Sequence, residues 1–93
     1  MSKIIPTNVN PFSIKVFNHG YEFNFHGFEK GSNRPEIMIG YGCLNKTFYW
    51  RTYQYLGKAV SVAKKVKKWY HTRGIDYKVV VYDNINKKNI IEV

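Results

Sequence analysis

The stretch Leu56–Arg73, LGKAVSVAKKVKKWYHTR, decides the fold. Projected as a helix, Leu56, Ala59, Val62, Ala63, Val66, Trp69 and Tyr70 fall within an arc of about 140°. Lys58, Ser61, Lys64, Lys65, Lys67, Lys68, His71 and Thr72 fill the rest, and only Val60 strays onto the polar side. A strand would put the pairs Lys64–Lys65 and Lys67–Lys68 on both faces, which a buried strand cannot tolerate because unpaired ammonium groups resist burial. Gly74 stands where a C′ glycine ends a helix, and basic residues in the last turns suit the negative end of its dipole. The spacing therefore predicts an amphipathic helix over Gly57–Arg73, whose apolar arc needs a sheet or another helix to cover it.

Working outward, the flanks supply strands. Phe12–Phe17 alternates apolar and polar residues, with Phe12, Ile14 and Val16 on one face. Asn18-His19-Gly20 is turn chemistry. Tyr21–His26 alternates again, with Tyr21, Phe23 and Phe25 on one face, so the two runs form a hairpin. Gly27–Pro35 reads as a loop. Glu36–Tyr41 reads as a third strand, with Ile37, Ile39 and Tyr41 on one side, and Lys46–Tyr55, dense in aromatics, as a fourth. After the helix, Tyr77–Tyr82 centres on Val79-Val80-Val81, Asp83–Asn89 turns, and Ile90–Val93 pairs back. Met1–Pro11 reads as an extended arm. The expected order is β-β-β-β-α-β-β: an α+β domain in which a single, mostly antiparallel sheet carries the basic helix on one face. Short loops between the first four strands imply a meander. At 93 residues the chain is one domain.

Composition narrows the function classes. Fifteen Lys and Arg stand against six Asp and Glu, a formal net charge of +9. With 44% hydrophobic and 17% aromatic residues this is not a disordered basic tail. The one cysteine, Cys43, excludes an internal disulfide and a thiolate zinc site, and reads as a small buried hydrophobe. Met1–Asn10 has no apolar signal-peptide core, and no run spans a membrane, so the cytoplasm is the expected compartment. No cofactor or metal motif is present, and none is expected to bind. The 12 Lys, 9 Asn, 9 Ile and 8 Tyr have A+T-rich codons, pointing to an A+T-rich genome such as a phage or a low-GC bacterium.

The charge is localised. Lys58, Lys64, Lys65, Lys67, Lys68 and Arg73 put six cations and no carboxylate into the helix segment. Like charges at helical neighbour spacing cost a few tenths of a kcal/mol each, roughly, so an external anion is the natural partner. The plain alternative is a solvated face. A second candidate is Phe48–Tyr55. As a strand it points Phe48 and Trp50 toward the helix and Tyr49, Arg51, Tyr53 and Tyr55 away, giving a Tyr49/Arg51/Tyr53 platform on which bases could stack. Cross-strand packing would also use those aromatics.

The expected function is nucleic-acid binding, to DNA or RNA, through Lys58, Lys64, Lys65, Lys67, Lys68, Arg73, Tyr49, Arg51 and Tyr53. If all six helix cations met DNA phosphates, log K against log salt would slope at about −5. The alternative is a phage-type inhibitor docking on an acidic surface of a host protein. A third reading, a ribonuclease toxin, would need two of His19, His26 and His71 to converge beside a Lys or Arg.

Overall fold

The computed structural model describes residues 10–39 and 51–93. Six strands and one helix follow in the order β1 (Phe12–Asn18), β2 (Tyr21–Phe28), β3 (Pro35–Ile39), β4 (Thr52–Tyr53), α1 (Leu56–His71), β5 (Lys78–Asp83) and β6 (Lys88–Glu92). They make one antiparallel sheet in the order β3-β2-β1-β5-β6, with β4 paired to β1, and the helix packs against it. The expected α+β architecture is therefore present.

The hairpin forms as its alternation predicts. Val16 pairs with Phe23 and Asn18 with Tyr21, across a two-residue turn in which His19 and Gly20 both take positive φ, the geometry that matches strand twist. On the other edge of β1, Ile14 faces Val81 and Val16 faces Val79. Directly opposed residues share a face, so Ile14, Val16, Phe25, Val79 and Val81 form one apolar layer. Ala59, Val62, Ala63, Val66 and Tyr70 of α1 close it from above. The two alanines let the helix axis approach the sheet.

The other face is finished by polar and aromatic groups. Lys15 pairs with Glu22 and lies 3.8 Å from the centroid of the Tyr82 ring, and Lys78 lies 5.4 Å from that of Phe17. Val80, on this face by register, is buried.

Three expectations change. First, β2 runs on through Gly27 to Phe28, where the composition reads as loop. His26 is an extra residue between the pairs Phe25–Ile37 and Gly27–Glu36, a bulge. Second, only Thr52 and Tyr53 of the expected fourth strand pair as strand among the described residues; residues 46–50, like 40–43, lie outside them. Third, the meander stops after three strands. The bulge bends β2 away from β1, and β4 enters beside β1, pairing Phe12 with Tyr53 and Ser13 with Thr52. Arg51 anchors this junction: its N–H donates to the Phe25 carbonyl at 2.9 Å and its Nε to the His26 carbonyl at 3.2 Å. Gly27, at φ +125, lets the guanidinium cross closely, since a Cβ there would lie 3.1 Å from Arg51 Nε.

The helix starts one residue early and ends two residues early. Its N-cap residue, Tyr55, makes no side-chain cap, and the first turn holds no carboxylate. Packing rather than local sequence therefore holds that end. The C-terminal end is well closed. Thr72 Oγ1 and Arg73 Nη1 each donate to the Trp69 carbonyl at 3.1 Å, and Gly74 takes φ +75, as a C′ glycine should.

Candidate functional site

Helix geometry sorts the lysines before any partner is considered. Lys58, Lys65, Trp69 and Thr72 lie on one flank of α1, at spacings of seven, four and three residues. Lys64, Lys67 and His71 lie on the other flank, and Lys68 sits on the crest between them. The sheet then gives the flanks different neighbours. The Lys65 flank meets the β2–β3 loop. The Lys67 flank meets the segment entering β5, where Lys67 Nζ donates to the Tyr77 carbonyl at 2.5 Å and lies 3.5 Å from Asp76.

A groove of about 410 Å³ opens along the first flank, lined by Phe28, Asn33, Lys65, Lys68, Trp69, Thr72 and Arg73. A second, of about 490 Å³, lies on the other side of Trp69 and includes Arg34, Ile37, Met38, Tyr70 and Tyr77. Three cations, Lys65, Lys68 and Arg73, thus line the first groove beside Trp69, and Arg34 lines the second together with Glu36. The Trp69 ring packs on the core and stands edge-on to Tyr70, with centroids 5.4 Å apart. Its indole N–H is buried without an acceptor among the described residues. The Arg73 guanidinium lies over it, with Cζ 3.8 Å from the ring centroid.

The loop wall is built by hydrogen bonds. Glu29 and Arg34 close the loop at 2.8 Å, the Glu29 N–H donating to the Arg34 carbonyl, and Asn33 N–H donates to the Glu29 carbonyl at 2.9 Å. Asn33 takes φ 61, which asparagine tolerates. The Ser32 hydroxyl donates to the Glu29 carboxylate at 2.6 Å, and Arg34 Nε lies 3.3 Å from the same oxygen. The Ser32 hydrogen bond, then the Arg34 charge, hold the Glu29 carboxyl below its ordinary range. Burial pushes the Tyr70 hydroxyl up to about 12; neighbouring Tyr77 adds to the shift and the Arg34 charge opposes it.

Of the nine residues expected to bind, the structure gathers Lys65, Lys68 and Arg73. Lys58 shares their flank but lies about 10 Å along the axis from Lys65. Lys64 faces the other side, and Lys67 is engaged at the Tyr77 carbonyl. Among the described residues, Arg51 and Tyr53 do not share the outer sheet face that the alternation implies. Tyr53 is opposite Phe12, a core-facing position, so it packs half-buried against the core on the helix side, and burial raises its pKa. Arg51 is drawn across Gly27. Tyr49, with Phe48 and Trp50, lies outside the described residues, as does Cys43. Tyr55 is exposed, but at the helix start. The histidines occupy three elements: His19 in the β1–β2 turn, buried His26 in β2, exposed His71 at the helix end.

Sequence reasoning missed Phe28, Asn33, Arg34, Trp69 and Thr72. Arg34 and Asn33 read as loop filler, Phe28 sits beyond an unrecognised bulge, and Trp69 reads as core. The available signal was the position of Trp69 at the margin of the apolar arc, four residues after Lys65. Among the described residues, no three His, Cys, Asp or Glu side chains could share a metal ion, and no helix is long and apolar enough to cross a membrane. No protein-family model, curated protein or solved structure matches the chain.

Proposed function

We propose that the protein binds nucleic acid in the groove between the β2–β3 loop and α1, with phosphates on Lys65 and Lys68 and with Arg73 at the groove's far end. The observation that carries this reading is the gathering of Lys65, Lys68 and Arg73 beside Trp69 and opposite Phe28, in one groove. Cations on a backbone-tracking groove together with an aromatic surface are the two components of sequence-tolerant nucleic-acid binding. Docking on an acidic host protein, as a phage-type inhibitor would, calls for a broad basic surface; here the helix cations divide between two flanks, and Lys67 is already engaged.

The test is binding of labelled DNA and RNA at low salt by wild type, Lys65→Glu/Lys68→Glu and Lys64→Glu. The double variant loses binding and Lys64→Glu retains most of it. Absence of any retardation by wild type at about 50 mM salt would overturn the proposal, since phosphate contacts are strongest there.

A further inference from the structure

Granting the nucleic-acid reading on which it rests, we infer that the groove takes an unpaired base, stacked on the outer face of the Arg73 guanidinium, and so selects single strands over duplex. Arg73 is exposed, yet several contacts hold its side chain. Its guanidinium sits over Trp69, with Cζ 3.8 Å from the ring centroid. Nη1 is fixed by the Trp69 carbonyl at 3.1 Å and the Thr72 hydroxyl at 3.2 Å, and the backbone N–H by the Tyr70 carbonyl at 3.0 Å. The rotamer entropy that a mobile arginine would lose on binding is already spent. The opposite face of the plane is turned away from the indole, and guanidinium planes are stacking surfaces for unpaired bases.

The surroundings place the parts of a nucleotide. Phe28 stands on the facing wall, exposed, and is itself braced edge-on against Phe25 with centroids 5.0 Å apart. The groove of about 410 Å³ is within the size range of small-ligand sites, room enough for one nucleotide. The helix C-terminus carries partial negative charge, so a phosphate is disfavoured beside Thr72. Lys65 and Lys68, a turn or more back, are the better phosphate seats, which leaves the Arg73 end for the uncharged base. In a duplex the base faces are hidden in the stack, and exposing one costs unpairing energy.

Fluorescence anisotropy on a labelled oligodeoxythymidylate and on a DNA hairpin of equal nucleotide number tests this. Wild type binds the single strand about tenfold tighter. Arg73→Lys keeps the charge and loses the plane: single-strand affinity falls about five- to tenfold, while hairpin affinity and the salt slope stay put. Trp69 fluorescence, read in the Trp50→Phe variant, is quenched by the single strand and not by the hairpin, an answer that needs no change at Arg73. Equal affinity for the two DNAs, or a parallel loss on both with Arg73→Lys, overturns the stacking inference while nucleic-acid binding stands. Binding to neither DNA, nor to a single-stranded RNA of the same length, overturns both.

Discussion

Replacing Lys65 by alanine should weaken nucleic-acid binding in a salt-dependent way that replacing Lys64 does not. The two residues are adjacent in sequence and identical in chemistry, so only their placement on opposite flanks of α1 separates them. The groove gathers Lys65, Lys68 and Arg73, while Arg34 lies in the neighbouring cavity and shares its charge with Glu29 at 3.3 Å. Two to three phosphates are then neutralised. For a single strand, at about −0.7 per phosphate, log K against log salt slopes between about −1.4 and −2.1, a loss of about 7- to 18-fold from about 50 to 200 mM salt. Lys65→Ala removes one contact, making the slope shallower by about 0.7 and lowering affinity about eightfold at about 50 mM. The assay is anisotropy of a labelled oligonucleotide across a salt series for wild type, Lys64→Ala and Lys65→Ala. Equal losses in the two variants would refute the assignment of the groove. So would a wild-type slope of about −4 or steeper, because the whole helix would then be engaged.

Val66 is fully buried beneath the helix, so Val66→Ala should cost about 2–3 kcal/mol by chemical denaturation, while exposed Ser61→Ala stays within about 0.5 kcal/mol. Gly27→Ala should cost about 1–3 kcal/mol, because alanine at φ +125 is strained and its Cβ would crowd Arg51 at 3.1 Å. Adding Arg51→Ala relieves the contact but not the backbone, so full recovery in the double variant would contradict the account. Asp83 accepts hydrogen bonds from the Asn86 amide at 2.7 Å and from the Asn86 and Ile85 N–H groups at 3.2 and 2.9 Å, and the Asn86 side chain is the main cause holding its carboxyl below 3.8. The native state therefore binds fewer protons than the unfolded chain. The associated stability is present above about pH 4 and is lost as the pH falls, and Asp83→Asn should flatten that acid limb in urea titrations. Tyr70 gives the opposite limb. With its hydroxyl raised to about 12, folding favours the neutral phenol, so stability holds below about pH 10 and declines above it; Tyr70→Phe should reduce the decline.

How much of this was legible in the chain depends on how local each determinant is. The hairpin and the helix announce themselves because alternation in Phe12–Phe17 and Tyr21–His26, and the seven-residue apolar arc of α1, are periodicities of single elements. The fourth strand misleads because aromatic composition suggests a face, whereas register decides it: Phe12 pairs with Tyr53, and Phe12 faces the helix. The bulge at His26 left no signature, since Phe25-His26-Gly27-Phe28 reads equally well as a strand end and a loop.

The sequence by itself determined that this is a basic α+β domain with its excess charge concentrated in one helix, because charge count and periodicity are properties of the chain. It could not determine which of those charges act together. That is a tertiary matter. Crossing the sheet gives the helix two unlike neighbours: the segment entering β5 ties down Lys67 through the Tyr77 carbonyl, while Phe28 and the β2–β3 loop residue Asn33 meet Lys65, Lys68, Trp69 and Arg73. Residues some thirty positions apart become one groove because a bulge carries β2 to Phe28 and the loop beyond it closes on Glu29, and no local pattern in the sequence records that distance.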